Sequence, residues 1–207
     1  YKKYGCNVVI VKNYPILNYN YIDWTNKLDR LCYIGGISEN RGIFNMLYSL
    51  NKTDYVLELA GIFSEEDVFL RAKEHPAWSQ VHYHGYISQN KLLEINSKSK
   101  IGFGLFHAAP NHSKGITTKL YEYMDAGLPV IVSDCVESNV EVVNKHKCGF
   151  IVNPTDIDRI ANCINLLMKD DRLASEMGKR GKEAASKYYN WKNEEICLLD
   201  SYNKLLK

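Results

Sequence analysis

The 207-residue chain is 45% apolar and 24% charged, a composition ordinary for a soluble globular protein. A net charge of +2 supplies no field that would call for nucleic acid or an acidic membrane as partner. No run approaches the roughly 20 apolar residues of a membrane span, and the residues given show no secretory leader.

In chain order, an apolar run "NVVIVKNYP" (7–15) reads as a short strand followed by a Tyr/Asn-rich link. Further strands are expected at "LCYIGG" (31–36), "YVLELAG" (55–61), "VHYHG" (81–85), "IGFGLF" (101–106), "PVIVSD" (129–134) and "GFIVN" (149–153). Helical patterns near 41–50, 64–74, 89–97, 117–126 and 138–146 lie between them. Strand and helix in alternation predict an α/β fold, a Rossmann-like, doubly wound parallel sheet of about six strands with helices on both faces. Three more helical patterns follow: one opening at "NPTDIDRIANCINLLM", one over 171–187, and a last one, "WKNEEICLLDSYNKLLK". In that last helix Ile196, Leu199, Tyr202 and Leu206 share one face, a stripe expected to pack on this domain or on another. The chain starts in mid-pattern on Tyr1 and reads as a piece of a longer protein.

Six cysteines, at 6, 32, 135, 148, 163 and 197, form no CxxC pair and read as buried free thiols of a reducing compartment. His82 and His84 share a strand face without a third ligand nearby, which favours a packed or half-exposed pair over a metal site.

Ligands of open α/β sheets bind at the carboxyl ends of the strands, so the loops leaving strands carry the chemistry. "GGISENRGI" (35–43) offers Gly35, Gly36 and Arg41 at the mouth of a helix: a phosphate cradle, or a glycine turn with a surface arginine. It is neither GxGxxG nor GxxxxGK[ST], which disfavours a dinucleotide oxidoreductase or a P-loop ATPase. "HAAPNHSKGITT" (107–118) leads into a helix that Thr117 or Thr118 can cap. There Leu120, Tyr123 and Met124 form the core face, Gly127 ends the helix, and Glu122 lies on another face. A carboxylate at Glu122 can accept both hydroxyls of a ribose, or it can simply favour the helix dipole. "HGYISQNKLL" (84–93) could read a base edge or form a plain turn with Ser88 as N-cap. "DID" (156–158) matches the metal-binding DxD of some sugar transferases, but its place after Pro154 and Thr155 suits a helix cap.

Together these residues resemble the C-terminal, donor-binding half of family 4 glycosyltransferases, which have the GT-B fold. The resemblance rests on "YIGGISENRGI", "VHYHGYIS", "TTKLYEYMDAGLPVIVSD", "CGFIVNPTDIDRIANCINLL" and "YYNWKNEEICLLDSYNKLL", in the family's order from about Leu31 onward. "KLYEYMDAGLPVI" is the most specific of these. The resemblance implies a retaining sugar transfer from a nucleotide diphosphate sugar, of UDP or GDP type, without a metal or other cofactor. It assigns Glu122 to the ribose hydroxyls and Arg41 to the diphosphate. Thr117, Thr118 and Lys119 become the helix start near the phosphates, and Gly85, Tyr86 and Ile87 the loop along the base. Two positions depart from the family. Gly36 stands where Arg often follows the first glycine, and Lys114 stands where the first glutamate of EX7E would be. Lys114 is expected to restore part of the lost positive charge.

The resemblance divides the chain into 1–28 (end of an N-terminal domain and linker), 29–187 (nucleotide-sugar domain) and 188–207 (crossover helix). Its implied partners are the sugar-nucleotide donor and an N-terminal, acceptor-binding domain of the same chain that would hold the catalytic acceptor side. The implied setting is cell-surface polysaccharide or lipopolysaccharide synthesis in the cytoplasm, with peripheral contact at the inner membrane face as a variant. The competing readings are a GT-B-like sugar-nucleotide epimerase and a non-catalytic nucleotide-binding module.

Overall fold

The computed structural model describes residues 8–17, 22–108 and 117–206. Six strands form one parallel sheet: β1 (Arg30–Ile34), β2 (Val56–Ala60), β3 (Val81–Tyr83), β4 (Ile101–Gly104), β5 (Val130–Ser133) and β6 (Gly149–Val152). Helices α1 (Ile43–Leu50), α2 (Glu66–Glu74), α3 (Gln89–Lys98), α4 (Thr118–Asp125) and α5 (Glu137–His146) connect them. Helices α6 (Ile157–Lys169), α7 (Asp171–Tyr188) and α8 (Trp191–Leu205) follow. Every core strand expected from the sequence is present, trimmed by one or two residues; after β1, β2 and β3 the flanking glycines belong to the loops.

The sheet divides its side chains by the two-residue period of a strand. Leu31 and Tyr33 of β1 join Leu57, Leu59, Ile101 and Phe103 in one core, covered by α1, α2 and α6. Cys32 and Ile34 point the other way, into a core with Val130, Val132 and residues of α3, α4, α5 and α7. Helices on both faces satisfy a sheet whose strands are apolar throughout.

The spatial order is β3-β2-β1-β4-β5-β6. The chain therefore winds outward from β1 through β3, returns with α3 to the other side of β1, and winds outward again. The reversal lies between β1 and β4, and the loops leaving those two strands diverge there to open a crevice.

Close backbone packing fixes α4, the helix that begins at this crevice. Along α7, Gly178 meets Gly127 just beyond the end of α4, and a Cβ on Gly178 would stand 2.1 Å from the Gly127 carbonyl oxygen. Below, the Lys27 ammonium is buried and donates to the carbonyls of Ser97 (2.7 Å), Ser99 (3.2 Å) and Ala126 (3.2 Å). One side chain thus satisfies carbonyls at the ends of both α3 and α4, groups that a helix terminus leaves free.

The expected strand "NVVIVKNYP" is not formed in its described part, residues 8–15. A strand needs a neighbour with free backbone groups, and this segment runs along helices whose groups are already bonded. It is held instead by the Lys12 amide on Glu194 (2.9 Å), by the Trp191 amide on the Pro15 carbonyl (2.9 Å), and by Tyr14 packed edge-on to Tyr121 and Tyr189. The apolar stripe of α8 is not covered by this domain: Ile196, Leu199, Tyr202 and Leu206 are all exposed. The five described cysteines are free; Cys32, Cys148 and Cys163 are buried as expected, whereas Cys135 and Cys197 are half-buried. Cys6 lies outside the described residues.

Gly178→Ala is expected to lower stability by about 1–3 kcal/mol through overpacking against the Gly127 backbone, despite the better helix propensity of alanine. Urea unfolding of the two proteins measures the difference, and an unchanged midpoint would mean that α7 can shift without loss.

Candidate functional site

Four loops meet at the carboxyl end of the sheet. After β1 the chain turns at Gly35 (φ 137°) and Gly36 into a 3-10 turn, Glu39–Arg41. The Tyr33 hydroxyl donates to the Gly36 carbonyl at 2.7 Å, and Arg41 Nη1 donates to the same oxygen at 3.3 Å. After β2, Gly61 repeats the same backbone angle, φ 137°, and a Cβ there would sit 1.8 Å from the Gly35 oxygen. The Gly61 amide donates to the Gly85 carbonyl at 2.7 Å, so the loops of β1, β2 and β3 are stacked backbone on backbone. α1 begins only at Ile43, so Arg41 precedes the helix rather than opening it.

From β4 the chain passes Phe106, whose amide donates to Ser133 Oγ at 2.6 Å, toward α4. Thr117 is the N-cap residue of α4, but its hydroxyl donates to Asn139 Oδ1 of α5 (2.6 Å) and makes no cap bond. The expected side-chain cap is thus absent: the threonine is used to tie α4 to α5. Thr118 opens the helix, half-buried. One turn on, the tyrosines beside Glu122 point away from the crevice. Tyr121 stacks with Tyr14 and Tyr189, while the buried Tyr123 hydroxyl accepts from the Ile34 amide at 3.2 Å. With successive side chains about 100° apart, both neighbours pinned inward leave Glu122 half-buried on the remaining face.

Lys119 is the unusual member of the site. Its ammonium lies 3.7 Å from the centre of the Tyr33 ring and 5.2 Å from that of Phe106, buried and without a hydrogen-bond partner. A Cβ on Gly35 would stand 3.1 Å from Lys119 Nζ, and one on Gly36 would stand 3.0 Å from Arg41 Nη1. The glycine pair therefore makes room for two cations. Burial pulls the Lys119 pKa down to about 7, the Arg41 charge adds to this, and Glu122 opposes it. Burial raises the Glu122 carboxyl above its ordinary value, with Lys119 acting in the opposite direction.

The structure thus brings Gly35, Gly36, Arg41, Lys119 and Glu122 to one crevice, with Thr117, Thr118 and Gly85 on its border. Lys114 lies outside the described residues. Tyr86 is 84% exposed, Ile87 packs its side chain into the core, and Ser88 caps α3 by accepting from the Lys91 amide at 3.4 Å. The loop backbone and the exposed Tyr86 side chain are left to face a ligand. Asp156 caps α6 by accepting from the Arg159 amide (2.9 Å), and Asp158 pairs with Lys52 at 2.7 Å, so "DID" serves a helix start. His82 and His84 share the buried Glu58 carboxylate with Arg30, the packed arrangement expected. Sequence reasoning missed Tyr33, Asn139 and the partnerless state of Lys119. A tyrosine just ahead of a glycine pair was the available signal for the first; nothing in the sequence marks the other two. A cavity of about 690 Å³ lined by Trp24, Lys27, Gly127 and Lys182 lies at the amino end of the sheet, the end that open α/β sheets do not use for ligands.

Residues 22–184 match the family described as glycosyl transferases group 1, and the chain belongs to that family. Its fold matches the C-terminal domains of GT-B glycosyltransferases. Sucrose-phosphate synthase from Thermosynechococcus elongatus is 21% identical with a TM-score of 0.74, over 92% of this chain and 50% of that one. A variant of S. aureus TarM in complex with UDP and alpha-GlcNAc-glycerol gives 17% and 0.76, over 95% of this chain and 40% of that one. HepE of Anabaena in complex with UDP and glucose gives 15% and 0.75, over 87% and 49%. The chain spans about half or less of the length of these structures. An exopolysaccharide phosphotransferase of Streptomyces coelicolor is 29% identical over 69 residues, 33% of this chain and 7% of that protein.

Two buried lysines make stability depend on pH. Lys119 and Lys27 are lowered to about 7 and about 8 from 10.5, so above these values the folded chain binds fewer protons than the unfolded one. Stability is expected to rise from about pH 7 to about pH 8.5, below the range where buried thiols reverse the trend. Urea midpoints across that range measure it, and Lys119→Met should flatten the slope; a slope untouched by the substitution would place the titration elsewhere.

Proposed function

We propose that this chain is the donor-binding part of a retaining, metal-independent family 4 glycosyltransferase, a hexosyltransferase in type. It takes a sugar from a nucleoside diphosphate sugar for transfer to a glycan or lipid-linked acceptor in cell-surface polysaccharide or lipopolysaccharide synthesis. The observation that carries this reading is the meeting of Gly35, Gly36, Arg41, Lys119 and Glu122 at the switch point of the sheet, in a chain of the group 1 family. The UDP present in the HepE and TarM structures favours a uridine nucleotide here.

In this reading the Glu122 carboxylate accepts the two ribose hydroxyls, and the raised affinity for protons that burial causes is reversed when those donors arrive. The backbone of Gly85, Tyr86 and Ile87 lies along the base. Arg41 and the amides of Thr118 and Lys119, uncapped by any side chain, face the diphosphate. As the carbon–oxygen bond to the sugar breaks, negative charge builds on the leaving phosphate, and fixed donors stabilise it with no reorganisation at that moment. The acceptor-binding half is a further domain of the same polypeptide, preceding residue 29. The exposed stripe of α8 is the face on which that domain rests, which accounts for its lack of cover here. Residues 29–187 form the nucleotide-sugar domain and 188–207 the crossover helix. The enzyme works in the cytoplasm, at the inner membrane face where its acceptor is lipid-linked.

Calorimetric titration with UDP, GDP, CDP, ADP and NAD tests the reading directly. One nucleoside diphosphate should bind selectively, without change on adding EDTA. Glu122→Ala should weaken it by roughly ten- to hundredfold, the loss of charge-assisted hydrogen bonds. Equal binding of all diphosphates, with Glu122→Ala silent, would remove the ribose assignment.

A further inference from the structure

Position 36 is glycine, and the structure shows what occupies the space that a side chain there would take. Lys119 reaches back from the first turn of α4 until its ammonium is next to Gly35, while Arg41 folds over Gly36. No acceptor among the described residues receives a hydrogen bond from Lys119 Nζ. Its surroundings are the Tyr33 ring of β1, the Phe106 ring beyond β4, Arg41 from the β1 loop and Glu122 on its own helix, with no ion pair to the last. Tyr33 is a neutral phenol, its pKa pushed up to about 12 by burial. Cation–π contact with the two rings offsets only part of the desolvation of an ammonium. A buried amine without an acceptor, at the start of a helix whose amides are also uncapped, is complete only when an anion arrives.

We propose that Lys119 is the second cation of the diphosphate site, supplied from α4 in place of a side chain at position 36, and that it takes up a proton when the diphosphate binds. This rests on the donor-site reading above and assigns the missing charge to Lys119 rather than to Lys114. Near neutrality the amine is only partly protonated in the empty crevice; the phosphate oxygens give its ammonium the acceptors it lacks, and the proton comes from solvent. The lowering of its pKa to about 7 in the empty site places that exchange near neutrality. An arginine could not act this way, because it keeps its proton under all ordinary conditions.

The test uses the 207-residue chain and four variants: Lys119→Met, Lys119→Arg, Lys114→Met, and Gly36→Arg combined with Lys119→Met. Each is titrated with UDP and GDP and with uridine and guanosine, at pH 7, in two buffers of different ionisation enthalpy. The expected result is a roughly ten- to hundredfold loss of diphosphate affinity in Lys119→Met with nucleoside affinity unchanged. Binding to the wild type should take up a fraction of a proton, and the uptake should vanish in Lys119→Met and Lys119→Arg. Gly36→Arg should restore diphosphate affinity to Lys119→Met without restoring uptake. Thermal melting checks that Lys119→Met is folded, and removing an unpartnered buried amine should raise its Tm.

Diphosphate affinity that survives Lys119→Met, or that falls instead in Lys114→Met, would overturn the assignment while leaving the donor site intact. An equal loss for nucleoside and diphosphate would make Lys119 a structural residue and overturn it as well. A folded wild-type chain that binds no nucleoside diphosphate would overturn the donor reading itself, and this inference with it.

Discussion

The candidate site depends on one backbone contact, the approach of Gly61 to the Gly35 carbonyl. Adjacent parallel strands are each followed by a glycine with the same φ of 137°, and neither loop could lie where it does if position 61 carried a side chain. Because the two loops stack, the Gly36 carbonyl is presented to Tyr33 and Arg41, and both donate to it. That pair of bonds folds Arg41 back over the glycines and seats the Tyr33 ring beneath the crevice. The ring in turn forms the floor on which the Lys119 ammonium rests. A steric fact about two glycines thus decides where the positive charges of the site stand.

The other half of the site follows from the orientation of α4. A helix of this length has little stability of its own, and its rotation about its axis is set by what it buries. Tyr121 is held in an aromatic cluster that draws together α4, α7 and the segment around Tyr14. Tyr123 reaches over β4 to the last amide of β1, and its ring fills the space that a side chain at position 102 would need. These two anchors leave no freedom to turn the helix, so Glu122 between them and Lys119 one turn earlier face the crevice. The tyrosines are structural, and their structural work is what makes the residue between them chemical.

The strands and helices were legible because a parallel sheet buried on both faces writes itself as apolar runs punctuated by glycine and by helical periodicity. The placement of Arg41 and Glu122 beside one crevice was legible too, since the loops leaving β1 and β4 part on either side of it where the winding reverses. Three features were not. "NVVIVKNYP" has the composition of a strand, yet its described part, residues 8–15, is held by contacts to helices, and periodicity carries no information on whether a partner with free backbone groups is at hand. Thr117 has the chemistry of a helix cap, yet Asn139, 22 residues away, competes for its hydroxyl and wins. Lys119 falls at a helix position where a solvated lysine would be unremarkable. Only the three-dimensional arrangement shows its ammonium turned inward over Tyr33, in space that a pair of glycines elsewhere in the chain leaves open.

Placing a cation on α4 rather than on the glycine loop has a physical consequence. A guanidinium at position 36 would carry its charge in the empty crevice next to Arg41, and two like charges there would repel each other without an anion between them. A lysine can shed its proton, so among the described residues Arg41 is the one permanent cation of the empty site, while Arg41 and Glu122 act on Lys119 in opposite directions. The charge at Lys119 is then largest when the ligand that needs it is present. The same desolvation that weakens the ammonium alone strengthens its attraction to a bound anion, because the crevice screens both poorly. A buried lysine is in this sense better suited than an arginine to a pocket that must be stable when empty and strongly cationic when filled.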